Sequence, residues 1–211
     1  MTPARMVRAA TVAAVLPMLA SCSAISALGD AATPLEVIVL ETPGDLPVRP
    51  GRPLRRDIIV EEPSTGGALA TDRILIQPGP FQAQYLPGVR WSAPAPQVVQ
   101  TLMLRALDAT EAFQYVGRQP LGPGGDFAIV TELVDFQAVL GPEGETARVE
   151  VRMVARIVRE RGVEIVASRT FAANAVAASL SDLDLAAAFD DAAGRVISDF
   201  ALWTLSSLGA L

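Results

Sequence analysis

Apolar and polar positions follow three successive patterns along this 211-residue chain. The first is an uncharged, largely apolar run from Ala9 to Leu19 behind Arg5 and Arg8. It is shorter than the roughly 20 apolar residues a helix needs to cross a bilayer, and it has the form of a secretion signal. The second pattern is a series of short β-branched runs closed by proline and glycine. Leu35–Leu40, Asp57–Glu62 and Arg73–Gln77 predict strands, ended by Thr42-Pro43-Gly44, by 63–67 and by Pro78-Gly79-Pro80. Gln82–Tyr85 and Val89–Trp91 then flank a bend at Pro87-Gly88. Between the first two strands, residues 45–56 (DLPVRPGRPLRR) predict an exposed loop. Its four arginines read either as a solvated connector or as a contact for lipid headgroups or an acidic partner.

The third pattern alternates helical and strand periods. Val98, Leu102, Ala106, Ala109 and Phe113 recur every three to four residues, which predicts a helix from Gln97 to about Phe113 that begins behind Pro96. Tyr115-Val116 starts a short strand. Phe127 to Leu140 is apolar on both faces, as in a central strand. Val149, Val151, Met153, Ala155 and Ile157 alternate with Arg148, Glu150, Arg152, Val154 and Arg156, and Arg161-Gly162 turns the chain into Val163–Phe171. These three segments predict an antiparallel meander. Phe189, Ala193, Val196, Phe200 and Trp203 form the apolar stripe of a last helix, Leu183–Ser207, with Asp182 and Asp184 placed to favour its dipole. The sum is an α+β fold: a mostly antiparallel sheet with two helices packed on one face. Residues 1–21 form the signal, 22–34 a flexible tether and 35–208 one domain.

Composition removes most chemistries. The chain has no His, and all 17 basic residues are Arg. His-based nucleophile systems, His-ligated zinc, phosphate-loop lysines and Schiff bases are therefore excluded. Cleavage before Cys22 leaves 15 arginines against 23 acids, a formal charge of −8, which disfavours nucleic acid as a partner. The glycine cluster at 121–125 lacks a following Lys and reads as a connector. The Asp182-x-Asp184 pair lacks calcium-loop spacing. Glu61-Glu62 and Asp190-Asp191 are the best carboxylate pairs, yet adjacent residues diverge on a strand or a helix. No catalytic, cofactor-binding or metal-binding residue is expected.

Leu19, Ala20, Ser21 and Cys22 resemble a bacterial lipobox. The first three would be read by the signal peptidase, and the Cys22 thiol would carry the acyl chains. The alternative is an ordinary secretion signal that contains a Cys. Cys22 is the only Cys, so no disulfide can form within the chain.

With the lipobox, the segment Leu69–Ile76, Tyr85 with Arg90-Trp91, Phe113 to Val116, Ser168–Phe171 and the Ala-rich helix with Phe189 and Trp203, the chain resembles the ABC-type transport auxiliary lipoproteins, which include the paraquat-inducible C-type proteins. The resemblance implies a non-catalytic subunit facing the periplasm. Its partners would be an MCE-domain protein and an ABC permease and ATPase that move phospholipid or other hydrophobic molecules across the envelope. Ser23 in place of Asp points to the inner leaflet of the outer membrane, held through acylated Cys22; a homo-oligomer stays open as a further partner. Tyr85, Arg90 and Trp91 are the candidate partner contacts. Their alternative is Trp91 as core beneath the first helix and Arg90 paired with an acid. Two other readings stay open: a protein that itself carries one lipid between sheet and helices, and a carboxylate enzyme acting on envelope glycans.

Overall fold

The structure, a computed structural model, describes residues 34–211. The signal peptide, the lipobox residues Leu19, Ala20, Ser21 and Cys22, and nearly all of the tether lie outside the described residues. Glu36–Leu211 form one compact unit. Its elements are β1 (Glu36–Ile38), β2 (Leu54–Val60), β3 (Ser64–Thr65), β4 (Arg73–Gln77), β5 (Gln84–Trp91), α1 (Ala95–Ala109), β6 (Phe113–Gly117), β7 (Phe127–Leu140), β8 (Ala147–Arg159), β9 (Glu164–Val176) and α2 (Asp182–Ser207).

The nine described strands form one sheet built on β7. One edge of β7 pairs antiparallel with β8 along its whole length, and β8 pairs antiparallel with β9, so the predicted meander is present. The other edge of β7 is taken in turn by β2, β3 and β4, all parallel to it. Ile58 pairs with Phe127, Ser64 with Glu132 and Gln77 with Val139. Residues 54–77 thus act as a single interrupted strand beside β7. Beyond it, β6 lies parallel to β2, while β5 lies antiparallel to β4 and carries β1 parallel on its outer edge. The sheet is mixed, with five of its eight pairings parallel, and this corrects the mostly antiparallel expectation. The reason is that β2 and β4 pair with β7, far along the chain, rather than with each other.

Local chemistry explains the boundaries. Thr110 closes α1 by returning its hydroxyl to the Leu107 carbonyl at 2.6 Å, and Glu111 at φ 51° turns the chain. Phe113 therefore falls in β6 rather than on the helix, although it is buried as expected. Ser181 caps α2, its hydroxyl accepting from the Asp184 N–H at 3.2 Å. Residues 54–56, expected in the arginine-rich loop, belong to β2. Ser64-Thr65, expected in a turn, is β3, and the Thr65 hydroxyl donates to the Leu133 carbonyl at 2.8 Å.

The odd positions of β8 from Ala147 to Ile157 are buried under the helices, whereas Arg148 and Arg152 on the other face are exposed. The core between sheet and helices centres on Trp91, Phe136 and Phe189, with ring centroids 4.9–5.3 Å apart. Phe171, Phe200 and Trp203 continue this layer between β9 and α2. Edge and tilted contacts of this kind add to the burial of large apolar areas. Replacing Phe189 by Ala should lower the unfolding free energy by about 3–5 kcal/mol. Ser181→Ala should cost only about 1 kcal/mol. Urea unfolding of both variants checks the ratio.

Candidate docking surface

The three residues expected to meet a partner lie on one strand but do not share one surface. In β5 the register slips: Arg73 faces Arg90, whereas Leu75 faces Tyr85. Four residues of β5 therefore span one of β4, and Gly88 at φ 79° absorbs the excess. This bulge is the predicted Pro87-Gly88 bend, now inside a continuous strand. It places Tyr85 on the side of Arg90 and leaves Trp91 on the other.

Trp91 is 1% exposed. Its ring meets Phe136 of β7 and Phe189 of α2, so in the folded domain it is core rather than a contact surface. Its aromatic partners come from the second helix and the central strand, not the first helix. Arg90 Nη1 pairs with Asp72 Oδ2 at 3.1 Å, and the Trp91 N–H donates to the Asp72 carbonyl at 2.7 Å. Tyr85 is 42% exposed. Its hydroxyl donates to the Ala68 carbonyl at 3.2 Å, and the Arg73 guanidinium lies 5.9 Å from its ring centre. The base of the β4–β5 hairpin is thus tied to residues 68–73 by its own bonds.

A second surface was not legible in the sequence. Because Ile58, Phe127 and Arg159 are in register across β2, β7 and β8, the start of β2 meets the end of β8. Arg55, Arg56, Asp126, Phe127, Arg159 and Arg161 line one surface depression there. Two guanidinium groups lie over the Phe127 ring, Arg56 at 5.7 Å and Arg159 at 5.9 Å from its centre. Arg159 also pairs with Glu164 at 2.6 Å, and Asp126 accepts from the Asp57 N–H at 3.0 Å. Arg56 donates to the Leu208 carbonyl, and Arg49 to the Ala210 carbonyl at 2.7 Å. Two arginines of the 45–56 segment therefore hold the chain that follows α2, where the helix dipole is negative. Arg55 and Arg161 remain exposed at the rim. The signal in the sequence was the arginine run itself; what gathers its neighbours is the parallel pairing of β2 with β7.

The carboxylate pairs have structural partners or stand apart. Asp190 accepts the Glu41 N–H at 2.7 Å, and Asp191 pairs with Arg195 at 3.0 Å one helical turn on. Glu61 and Glu62 are exposed beyond β2. In the glycine cluster, a Cβ on Gly125 would stand 2.7 Å from Ile59 Cγ1, so packing demands the glycine. A strand follows it rather than a helix N-terminus. Among the described residues no group of three potential metal ligands comes together, and no helix is long and apolar enough to cross a membrane.

Set beside known proteins, residues 39–201 match the family model of the ABC-type transport auxiliary lipoprotein component. No curated protein sequence matches the chain. Among solved structures, protein XCC0632 from Xanthomonas campestris, of the DUF330 family model, is 21% identical over 83% of this chain and 97% of its own, with a TM-score of 0.71. An uncharacterized protein is 14% identical over 81% of this chain and 98% of its own, with a TM-score of 0.62. At these identities the likeness shows the fold.

Arg90→Gln should change stability by less than about 1 kcal/mol, since its ion pair with Asp72 is partly exposed. Trp91→Ala should cost about 3–5 kcal/mol. Equal losses in urea unfolding would contradict the division of this hairpin into a surface side and a core side.

Proposed function

The chain belongs to the ABC-type transport auxiliary lipoprotein family, and from that premise we propose that it is the non-catalytic, outer-membrane-anchored subunit of an MCE-type transport system moving phospholipid or another hydrophobic molecule. The observation that carries this reading is the family match, which spans all but the margins of the compact unit. In this account Cys22 follows a signal cut after Leu19-Ala20-Ser21 and carries the acyl chains. Several chains on one residue hold a protein firmly, where one chain holds it only marginally.

The filled core supports a docking role over a carrier role. The space between sheet and helices is occupied by Trp91, Phe136, Phe189, Phe171 and Phe200, all 3% exposed or less. A lipid chain could enter only by displacing them, so the domain acts by contact rather than by carriage. The contact proposed for the MCE-domain protein is the arginine depression. Two of its guanidinium groups lie over an aromatic ring, and arginine is enriched at the energetic centres of interfaces. Tyr85 and Arg90 remain a secondary candidate on the surface side of β5. A homo-oligomer would present several such depressions at once and multiply a weak contact.

Affinity purification of the full-length protein from native membranes should recover an MCE-domain protein with its permease and ATPase, and mass spectrometry should find an acylated Cys22 at the N-terminus. The double variant Arg55→Glu, Arg161→Glu should reduce that recovery about tenfold, equivalent to about 1.4 kcal/mol, and the loss should shrink as salt is raised. Recovery of no transporter component with the unmodified protein would overturn the proposal. Recovery unchanged in the double variant would move the docking face elsewhere. A Cys22→Ala variant should leave the membrane fraction.

A further inference from the structure

The tip of the β4–β5 hairpin carries an aromatic side chain that nothing in the fold explains. Phe81 is fully exposed and adopts φ 63°, a left-handed conformation that a bulky residue rarely takes. Gly79 beside it accepts a hydrogen bond from the Gln82 N–H at 3.2 Å, and Pro78 and Pro80 stiffen the turn. The ring is held out with no packing in return. The sixteen residues Ile74–Val89 around it contain no charge, and Arg73 and Arg90 stand only at the hairpin base.

The topology shows what lies beyond this tip. β1 runs parallel to β5, with Glu36 opposite Val89 and Ile38 opposite Trp91. β5 runs away from the hairpin tip, so Glu36, where β1 begins, is the tip-ward end of that strand. Val89 is eight residues from Phe81, at most about 27 Å along an extended strand. The twelve residues 23–34 can span about 40 Å when extended, enough for the tip to touch a surface to which Cys22 is fixed. The same end of the sheet bears the exposed apolar side chains Val176, Leu180 and Leu183, since β9 ends and α2 begins there.

We propose that the β4–β5 tip is a lipid-surface contact, in which Phe81 enters the headgroup region of the leaflet that holds the acylated N-terminus. The inference rests on the lipid-anchor reading above. A neutral, glutamine-bearing hairpin with an aromatic tip suits an interface between water and acyl chains. The nearby β7–β8 turn carries Glu143 and Glu145, so the preferred surface is zwitterionic rather than strongly anionic. One ring would not recruit a free protein. It can orient one already tethered, because the anchor makes the second contact intramolecular.

The test uses the mature, full-length protein with acylated Cys22 in phosphatidylcholine vesicles, with Phe81→Trp and Leu121→Trp compared against the unaltered protein. Leu121 is an exposed apolar residue in the β6–β7 loop at the opposite end of the sheet. Phosphatidylcholine brominated near its headgroup should quench Trp at 81 several-fold more than Trp at 121, with a blue-shifted emission at 81 only. A Phe81→Gly variant, relieved of its backbone conformation, should unfold at higher urea. Acylated protein in which Trp at 81 stays unquenched and water-like overturns this inference alone. A blue shift without quenching assigns the tip to a second copy or another protein surface and also overturns it. Cys22 found without acyl chains removes the anchor reading and this one together.

Discussion

Parallel pairing along one edge of β7 is the constraint from which the domain's shape follows. A fourteen-residue strand rising about 3.3 Å per residue sets an axis of roughly 45 Å. β8 satisfies one edge from end to end. The other edge is satisfied in three instalments by β2, β3 and β4, which the turn at 66–72 interrupts without changing direction. Because the instalments are separate, the sheet divides into two wings, β6 beyond β2 and β5 with β1 beyond β4. Each wing delivers different chemistry to one end of the β7 axis. The buried hydrogen bonds of this edge leave little freedom to alter that arrangement.

The helices close one face over this frame. Gln100 of α1 shows how polar groups are accommodated beneath them: its amide donates to the Val60 carbonyl at 2.9 Å and its oxygen accepts from Arg118 at 3.0 Å. The opposite face is wet, and its cross-strand partners Asp135 and Arg152 form an ion pair at 2.5 Å. A domain with one filled core, one polar face and two unlike ends is suited to spanning a gap between an anchoring surface and a partner. It is poorly suited to enclosing cargo.

Local periodicity revealed every long element. The Phe127–Leu140 strand and the Arg73–Gln77 strand have the bounds their patterns predict, because turn residues flank both. The last helix starts one residue early, at the position its cap dictates. Partner choice was not legible. Alternation in β8 tells which face is buried but not that β2 lies two strands away, and parallel partners are separated by dozens of residues. For the same reason the arginines of 49–56 read as a loop, whereas Arg55 and Arg56 meet Arg159 only through the shared register with Phe127. At the hairpin, Trp91 and Tyr85 are six residues apart and would share a face on a regular strand. The three extra residues at Pro87-Gly88 separate them, and the presence of a bend alone does not count those residues.

The proposed orientation gives the β7 axis a direction, with the Phe81 end toward the lipid and the arginine end away from it. Neutron reflectometry of the acylated full-length protein on a supported phosphatidylcholine bilayer, with the arginine end marked by a deuterated MCE-domain partner, measures that direction. The account predicts a protein layer about as thick as the β7 axis is long, with the partner density on its far side. Partner density between the bilayer and the domain, or a thin layer with β7 lying along the membrane, would contradict it.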